Sequence, residues 1–200
     1  MTPDLSLEAE YQGPVCGVDE VGRGPWAGPV TACAVIFHSS PPLGLNDSKK
    51  LTAKRREALV DAIHAAAHVG LAEATVAEID AVNILRASHL AMVRAIAALP
   101  VRPAHALIDG NRLPEDLPCP GTAVIKGDGR SASIAAASII AKVARDDLMA
   151  KLSVEFPHYG WERNAGYGVK AHAEALRAHG VTPHHRRSFK PIHNMLCEEN

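Results

Sequence analysis

Five short apolar runs fix what this 200-residue chain can fold into. They are "PVCGV" within 14–21, "PVTACAVIF" within 28–37, "VGLAEATV" at 69–76, "HALIDG" at 105–110 and "TAVIKG" at 122–127. The first two are β-rich and bounded by Gly and Pro, and the last two end at a glycine, which reads as strands rather than buried helices. Between them lie helical patterns. Leu51 to Val69 reads as a helix with Thr52 as N-cap and Leu59, Ile63 and Ala66 on one face. A second helix is expected from Glu78 to Leu99, stopped by Pro100. Its apolar stripe is Val82, Leu85, Met92, Val93 and Ile96, with His89 on the stripe as a packed histidine. Arg130 to Ala150 reads as a buried, alanine-rich helix. Such an order predicts an α/β sheet covered by helices. The loop "FPHYGWERNAGYG", a short helix over 169–178 and a basic, then polar tail form a small C-terminal appendage. The core is expected at about 13–150 and the appendage at about 151–200 of one catalytic domain.

Composition sets limits. Apolar residues are 47% and charged residues 22%, enough for one domain with a sizeable core. The formal net charge of −1 gives no global pull toward nucleic acid or membrane. Locally, "KKLTAKRR" (49–56) and "HHRRSFK" (184–190) are basic, and either run alone reads first as a solvated face. Cys16, Cys33, Cys119 and Cys197 form no C-x-x-C pair, so a zinc site is not expected, and Cys16 and Cys33 read as buried thiols. "MTPDLSLEAEYQ" does not read as a signal peptide, and no apolar stretch is long enough to span a bilayer. The expectation is a cytoplasmic monomer without a membrane partner.

The glycine loop "GVDEVGRGPWAGPV" (17–30) invites a dinucleotide-binding reading, but its spacing is G-x-G-x-x-x-G with Pro25 inside, and a strand follows it. The acids say more. Asp19 and Glu20 end the first strand, Asp109 ends the fourth, and Asp128 is expected at the end of the fifth, unless it caps the helix behind it. Sites in open α/β sheets form at the carboxyl ends of strands, so these acids can share one crevice. Like charges that close raise one another's pKa unless a cation intervenes. An all-oxygen set without His or Cys suits Mg²⁺ or Mn²⁺, with Asp19 central and Glu20 peripheral. Acids, a divalent cation and basic patches suggest phosphodiester hydrolysis, in which two metals roughly 3.5–4 Å apart hold the attacking and leaving oxygens. The glycines allow a close approach of backbone to sugar or phosphate, and Arg23 is placed to hold a phosphate.

With these residues identified, the chain resembles ribonuclease HII, a type 2 ribonuclease H of the RNase H-like superfamily. The motifs are "DEVGRGPWAGPV", "NDSKKLT", "LIDG" with "KGDGRSASIAAASIIAKVARD", and "GYGVKAH" followed by "HRRSF", in that order from Gly17 to Phe189. The resemblance implies a mixed five-stranded sheet flanked by helices, with a small helical C-terminal subdomain. It implies an endonuclease that cuts the RNA strand of RNA–DNA hybrids and incises 5′ of single ribonucleotides in duplex DNA, leaving 5′-phosphomonoesters, with a place in DNA repair and replication. It further implies metal binding by Asp19, Glu20, Asp109 and Asp128, ribose recognition by Gly22, Arg23 and Gly24, and junction sensing by Tyr167. Lys49 and Arg187 fall in motifs near the nucleic-acid backbone. Three positions depart from the pattern: Trp26 where leucine is common, Gly129 where serine is common, and Val169 where "GYGT" would supply a threonine. The related ribonuclease HIII type carries an extra N-terminal domain, which the short stretch before the first strand disfavours. The tail "PIHNMLCEEN" lacks the paired aromatics of a clear sliding-clamp peptide. Two other readings stay open: a resolvase-like nuclease of the same superfamily, and a non-catalytic nucleic-acid binder.

Overall fold

The computed structural model describes residues 2–198. Met1 of the N-terminal segment, and Glu199 and Asn200 of the tail read for a clamp peptide, lie outside the described residues. Five strands form one mixed sheet in the order β3-β2-β1-β4-β5. They are β1 (Val15–Val21), β2 (Val30–Phe37), β3 (Ala67–Ala74), β4 (His105–Asp109) and β5 (Gly121–Val124). β1, β2 and β3 pair antiparallel, and β4 and β5 continue parallel to β1.

Helices α1 (Ala53–Ala66) and α3 (Ala132–Glu155) cover one face and α2 (Val76–Ala97) the other. On the α2 face, Ile79, Met92 and Ile96 meet Val18, Val30 and Ile108. On the opposite face, Leu59, Ile63 and Ile139 meet Cys33 and Val35. Removing such side chains from water is the main force holding the layers together. At Gly17 a Cβ would overlap the Ile134 amide, so the start of α3 lies directly on β1. Three caps set the helix starts. Thr52 accepts from the Arg55 amide, Thr75 and Glu78 form a reciprocal capping box, and Ser131 accepts from the Ile134 amide.

Helices α4 (Trp161–Asn164), α5 (Lys170–His179) and α6 (Lys190–Glu198) complete the chain. They gather around the fully buried Trp161 with Met149, Tyr159, Leu176 and Ile192. Ala27 belongs to the same cluster, so the glycine loop is packed against the C-terminal helices. Among the described residues, no helix is long and apolar enough to cross a membrane. Cys16 and Cys33 are buried free thiols.

Several sequence expectations need correction. The first helix stops at Ala66, because Ala67 already pairs with Phe37 as β3 begins. β3 in turn stops at Ala74, before the Thr75 cap. α2 is broken at Asn83, whose φ is 70° and whose side chain accepts from the Leu85 and Arg86 amides. Past the break the core face is Ala87, Ala91, Met92, Ala95 and Ile96. Val82, Leu85 and Val93 instead line a groove of about 650 Å³ against Leu113 and Pro114. His89 lines that groove too and is only half buried, not packed in the core. β5 ends at Val124, so Asp128 is not a strand-end residue. It lies in a single 3₁₀ turn (Gly127–Gly129) that follows Lys126 in a left-handed conformation (φ 54°). It does not cap α3 either; Ser131 does.

Candidate active site

β1 and β4 run parallel with Val18 opposite Ile108, so the next residues, Asp19 and Asp109, lie side by side; Asp109 ends β4, whereas β1 continues to Val21 and Asp19 and Glu20 are still paired with β2. Asp19 is 7% exposed. Its Oδ1 accepts from the Glu20 amide at 2.8 Å, and the nearby Ser138 hydroxyl of α3 favours the charged carboxylate. Ser138 is linked in turn to Ser48 by a 2.8 Å hydroxyl–hydroxyl bond, which ties the "NDSKK" segment to the site. Glu20 is paired with Arg23 at 3.2 Å. Asp109 Oδ1 accepts from the Gly127 amide at 2.7 Å, which seats the turn bearing Asp128.

The acids act on one another electrostatically. Burial, then the Glu20 and Asp109 charges, push the Asp19 carboxyl well above its ordinary range. Burial also raises Glu20; Arg23 opposes the rise and Asp109 adds to it. Asp128 is raised by burial, then by Asp47 and Asp109, with Lys49 opposing and a hydrogen bond shared with Asp47 favouring the proton. Asp109 is thus the hub that all three other acids feel. Among the described residues, no group of three or more His, Cys, Asp or Glu side chains stands gathered as a ready cage for a metal ion. The donor set is nonetheless oxygen-only and carries a surplus of crowded, part-buried negative charge, which fits a hard divalent cation.

A pocket of about 320 Å³ opens beside the acids, lined among others by Glu20, Arg23, His89, Asp109, Asn111 and Arg112. Burial and then Arg23 lower the His89 pKa.

The glycine loop is held by two fully buried arginines. Arg186 donates to the carbonyls of Gly22, Arg23, Gly28 and Pro29. Arg145 donates to those of Ala27, Pro29 and Ala165. Gly22 takes a φ of 91°, which favours glycine. With the carbonyls of Gly22 and Arg23 turned toward Arg186, the N–H groups of Gly22, Arg23 and Gly24 meet no protein acceptor among the described residues. A Cβ on Gly24 would lie 3.4 Å from the Tyr167 ring, and that ring is 46% exposed. Arg23 and Gly24 are exposed with Tyr167 beside Gly24, Gly22 is buried beneath them, and the Arg23–Glu20 pair links the loop to the acids.

The basic tail is not a solvated face. His185 and Arg186 are buried, and of the arginine pair only Arg187 is exposed. Its amide and that of Ser188 donate to Asp80 of α2. No described contact ties the Arg187 side chain to the acids. Lys49 is exposed but near enough to bias Asp128. Sequence reasoning missed Asp47, Ser138 and Arg186. Asp47 was overlooked as the acid before a basic run; it caps the 3₁₀ helix Ser48–Lys50. Ser138 was hidden in an alanine-rich helix, and Arg186 in a run that composition alone assigns to solvent.

The Ribonuclease HII family model matches residues 16–192. The ribonuclease HII of Ruegeria pomeroyi is 63% identical over 98% of this chain and 86% of its own length. That of Magnetococcus marinus is 58% identical over 97% and 95%. Among solved structures, the ribonuclease H2 of Pyrococcus horikoshii superposes with a TM-score of 0.76 at 25% identity, over 93% of this chain and 98% of that one. The ribonuclease HII of Archaeoglobus fulgidus, solved in complex with PCNA, gives 0.71 at 25% identity over 89% and 96%. The mixed sheet, its flanking helices and this match across nearly the whole chain lead to one assignment: the chain belongs to the ribonuclease HII family, endonucleases of the ribonuclease H class acting on RNA–DNA hybrids.

Proposed function

We propose that this enzyme incises duplex DNA on the 5′ side of a single embedded ribonucleotide, besides cutting the RNA strand of hybrids, and that it reads the ribose through the Gly22–Gly24 backbone. The observation that carries this reading is the glycine loop itself, which lies against Tyr167 at Gly24 and is paired to the acids through Arg23 and Glu20. The N–H groups of the exposed Arg23 and Gly24, carried on the buried Gly22 turn, suit a 2′-hydroxyl, the group that marks RNA at one position. Tyr167 offers an exposed ring beside Gly24, placed to stack on the next sugar, where a second 2′-hydroxyl would crowd it. Lys49 and Arg187 are exposed and suit phosphates on either side.

Asp19, Glu20, Asp109 and Asp128 are the residues to hold Mg²⁺ or Mn²⁺, two ions in the reading favoured here. Ions held there would neutralise the crowded carboxylates and would supply the activation of water and the stabilisation of the leaving oxygen. The protein's own part is positional. Arg186 and Arg145 fix the loop, the loop fixes the ribose, and the ribose sets the scissile phosphate over Asp19. The Arg23–Glu20 pair couples the loop to the acids.

The test is one duplex carrying one ribonucleotide, a uniform hybrid and an all-DNA duplex, each with and without Mg²⁺. Mg²⁺-dependent cutting of the first two alone is expected. Cutting of all three alike would favour a resolvase-like nuclease, and binding without cutting a non-catalytic role.

A further inference from the structure

A chain of buried polar groups runs from Thr182 to the backbone of Tyr167, and its hydrogens can be assigned from its partners. Trp161 Nε1 carries a hydrogen and no lone pair, and it lies 3.2 Å from His172 Nε2. His172 Nε2 is therefore bare and accepts. His185 Nε2 lies 3.0 Å from the same atom, so it must be the protonated nitrogen of its ring. His185 Nδ1 is then an acceptor, and it takes the Thr182 amide at 3.0 Å and the Thr182 hydroxyl at 2.9 Å. The hydrogen left to His172 is on Nδ1, which donates to the Tyr167 carbonyl at 2.9 Å. Both rings are fully or almost fully buried. Burial depresses both basicities, that of His185 to about 3, so the neutral tautomers persist at physiological pH.

The chain ends on the Tyr167 carbonyl, which also takes a local bond from the Val169 amide at 2.9 Å, so the His172 bond is what ties that carbonyl to the buried chain. Tyr167 is half-exposed, with its ring beside Gly24, and the His172 bond holds the backbone that carries the ring. The following residue is pinned as well: a Cβ on Gly168 would overlap the Trp26 indole. Trp26 in turn lies tilted over His172, with ring centroids 5.6 Å apart. The tryptophan that departs from the usual leucine thus closes the far side of the same chain.

We propose that His172, oriented by His185 and Trp161, is a positioning residue for Tyr167, and that its Nδ1–H bond to the Tyr167 carbonyl sets how well the enzyme favours a lone ribonucleotide. The inference rests on the junction-sensing role given to Tyr167 above. Because the Val169 amide still bonds the same carbonyl, the loss of the His172 bond corresponds to about tenfold in a rate ratio.

Two amide variants separate the chain's two halves. Glutamine in H172Q extends to the Nε2 position, where it still meets Trp161 and His185 but cannot reach the Tyr167 carbonyl. Asparagine in H172N keeps an N–H at the Nδ1 position and gives up the other contacts. The readout is kcat/KM on the one-ribonucleotide duplex divided by kcat/KM on a uniform hybrid, with thermal stability measured alongside. H172Q should lower the ratio by about tenfold and H172N by less than about threefold, although both lose stability. Equal ratios in both variants, or a ratio that follows stability, would overturn the inference. Y167A is the control. If Y167A lowers the ratio and H172Q does not, the positioning role fails alone; if Y167A leaves the ratio unchanged, the tyrosine reading fails and the inference with it. Imidazole ¹⁵N shifts of the wild-type protein check the same point without a variant. They should show His172 protonated at Nδ1 and His185 at Nε2; the reverse at His172 would refute the assignment.

Discussion

Arg186 and Gly22 stand at opposite ends of the chain, yet the arginine's Nη2 donates directly to the glycine's carbonyl. The same guanidinium bonds Arg23, Gly28 and Pro29, so one buried cation gathers the whole glycine loop. Lysine has no planar fork and cannot serve four carbonyls at once. R186K should lose at least about 3 kcal/mol of stability, because each orphaned buried carbonyl costs about 1–3 kcal/mol. It should also cut lone ribonucleotides poorly even where it remains folded. Denaturant unfolding and single-turnover cleavage at a temperature below the variant's midpoint check both.

The carboxylate cluster predicts a stability that falls with pH. Asp19 has a folded-state pKa raised above its unfolded value, chiefly by burial, so the folded protein holds a proton that the unfolded chain releases. Stability is therefore greatest below the usual carboxylate range and declines as pH rises toward the raised value. D19N removes this burden and should melt higher than wild type at pH 7 to 8 in EDTA, on the order of 2–4 °C for each kcal/mol relieved. A saturating divalent cation should erase the difference by stabilising only the wild type. Melting curves across pH, with and without Mg²⁺, report both effects.

Asp109 is the acid felt by Asp19, Glu20 and Asp128. D109N should leave the fold intact while reducing Mg²⁺-dependent cleavage by at least about a thousandfold, a loss typical for a group that organises transition-state charge. Near-wild-type cleavage by D109N would move the site elsewhere.

Val169 is the N-cap of α5 and supplies no side-chain hydrogen bond there. The hydroxyl absent from this position is thus a missing helix cap. V169T should stabilise the protein by about 1 kcal/mol. Equilibrium unfolding in urea measures it, and an unchanged midpoint would show that a hydroxyl at this position does not cap α5.

Lys49 and Arg187 are expected to touch phosphates. K49A and R187A should each flatten the dependence of log K on log salt by about one charge, alike for every duplex tested. Unchanged slopes for both would return these side chains to a purely solvated role.

The sheet and its helices were legible because their signals are local. Val15–Val21 and Val30–Phe37 show as β-rich runs between Gly and Pro, and Thr52 shows as a cap before a helical pattern. Asp19 and Asp109 were legible for the same reason: each ends an apolar run, and the parallel pairing of those runs brings them together. What escaped depends on contacts far apart in sequence. Nothing near Arg186 indicates that four carbonyls await it across the fold. The core face of α2 is made largely of alanines, which carry little periodic signal, whereas the larger Val82, Leu85 and Val93 line a groove instead. Asp128 was placed at a strand end because Lys126 enters a left-handed turn that the residue type does not advertise.

The central claim is that the Gly22–Gly24 backbone chooses the cleavage site by a 2′-hydroxyl, while the acids perform the hydrolysis. The most direct measurement compares cleavage of two Mg²⁺-containing reactions whose duplexes differ by that one hydroxyl, for wild type and for G24A. A Cβ at Gly24 would meet the Tyr167 ring in ordinary contact at 3.4 Å, so the fold tolerates it, and it would sit on the face proposed to meet the ribose. Wild type should prefer the ribonucleotide duplex by roughly 10⁴-fold, as sites built to bond a hydroxyl do. G24A should lose most of that preference, or all cleavage, with Mg²⁺ affinity by calorimetry unchanged. Comparable cutting of the all-DNA duplex by wild type, or an undiminished preference in G24A, would contradict the account.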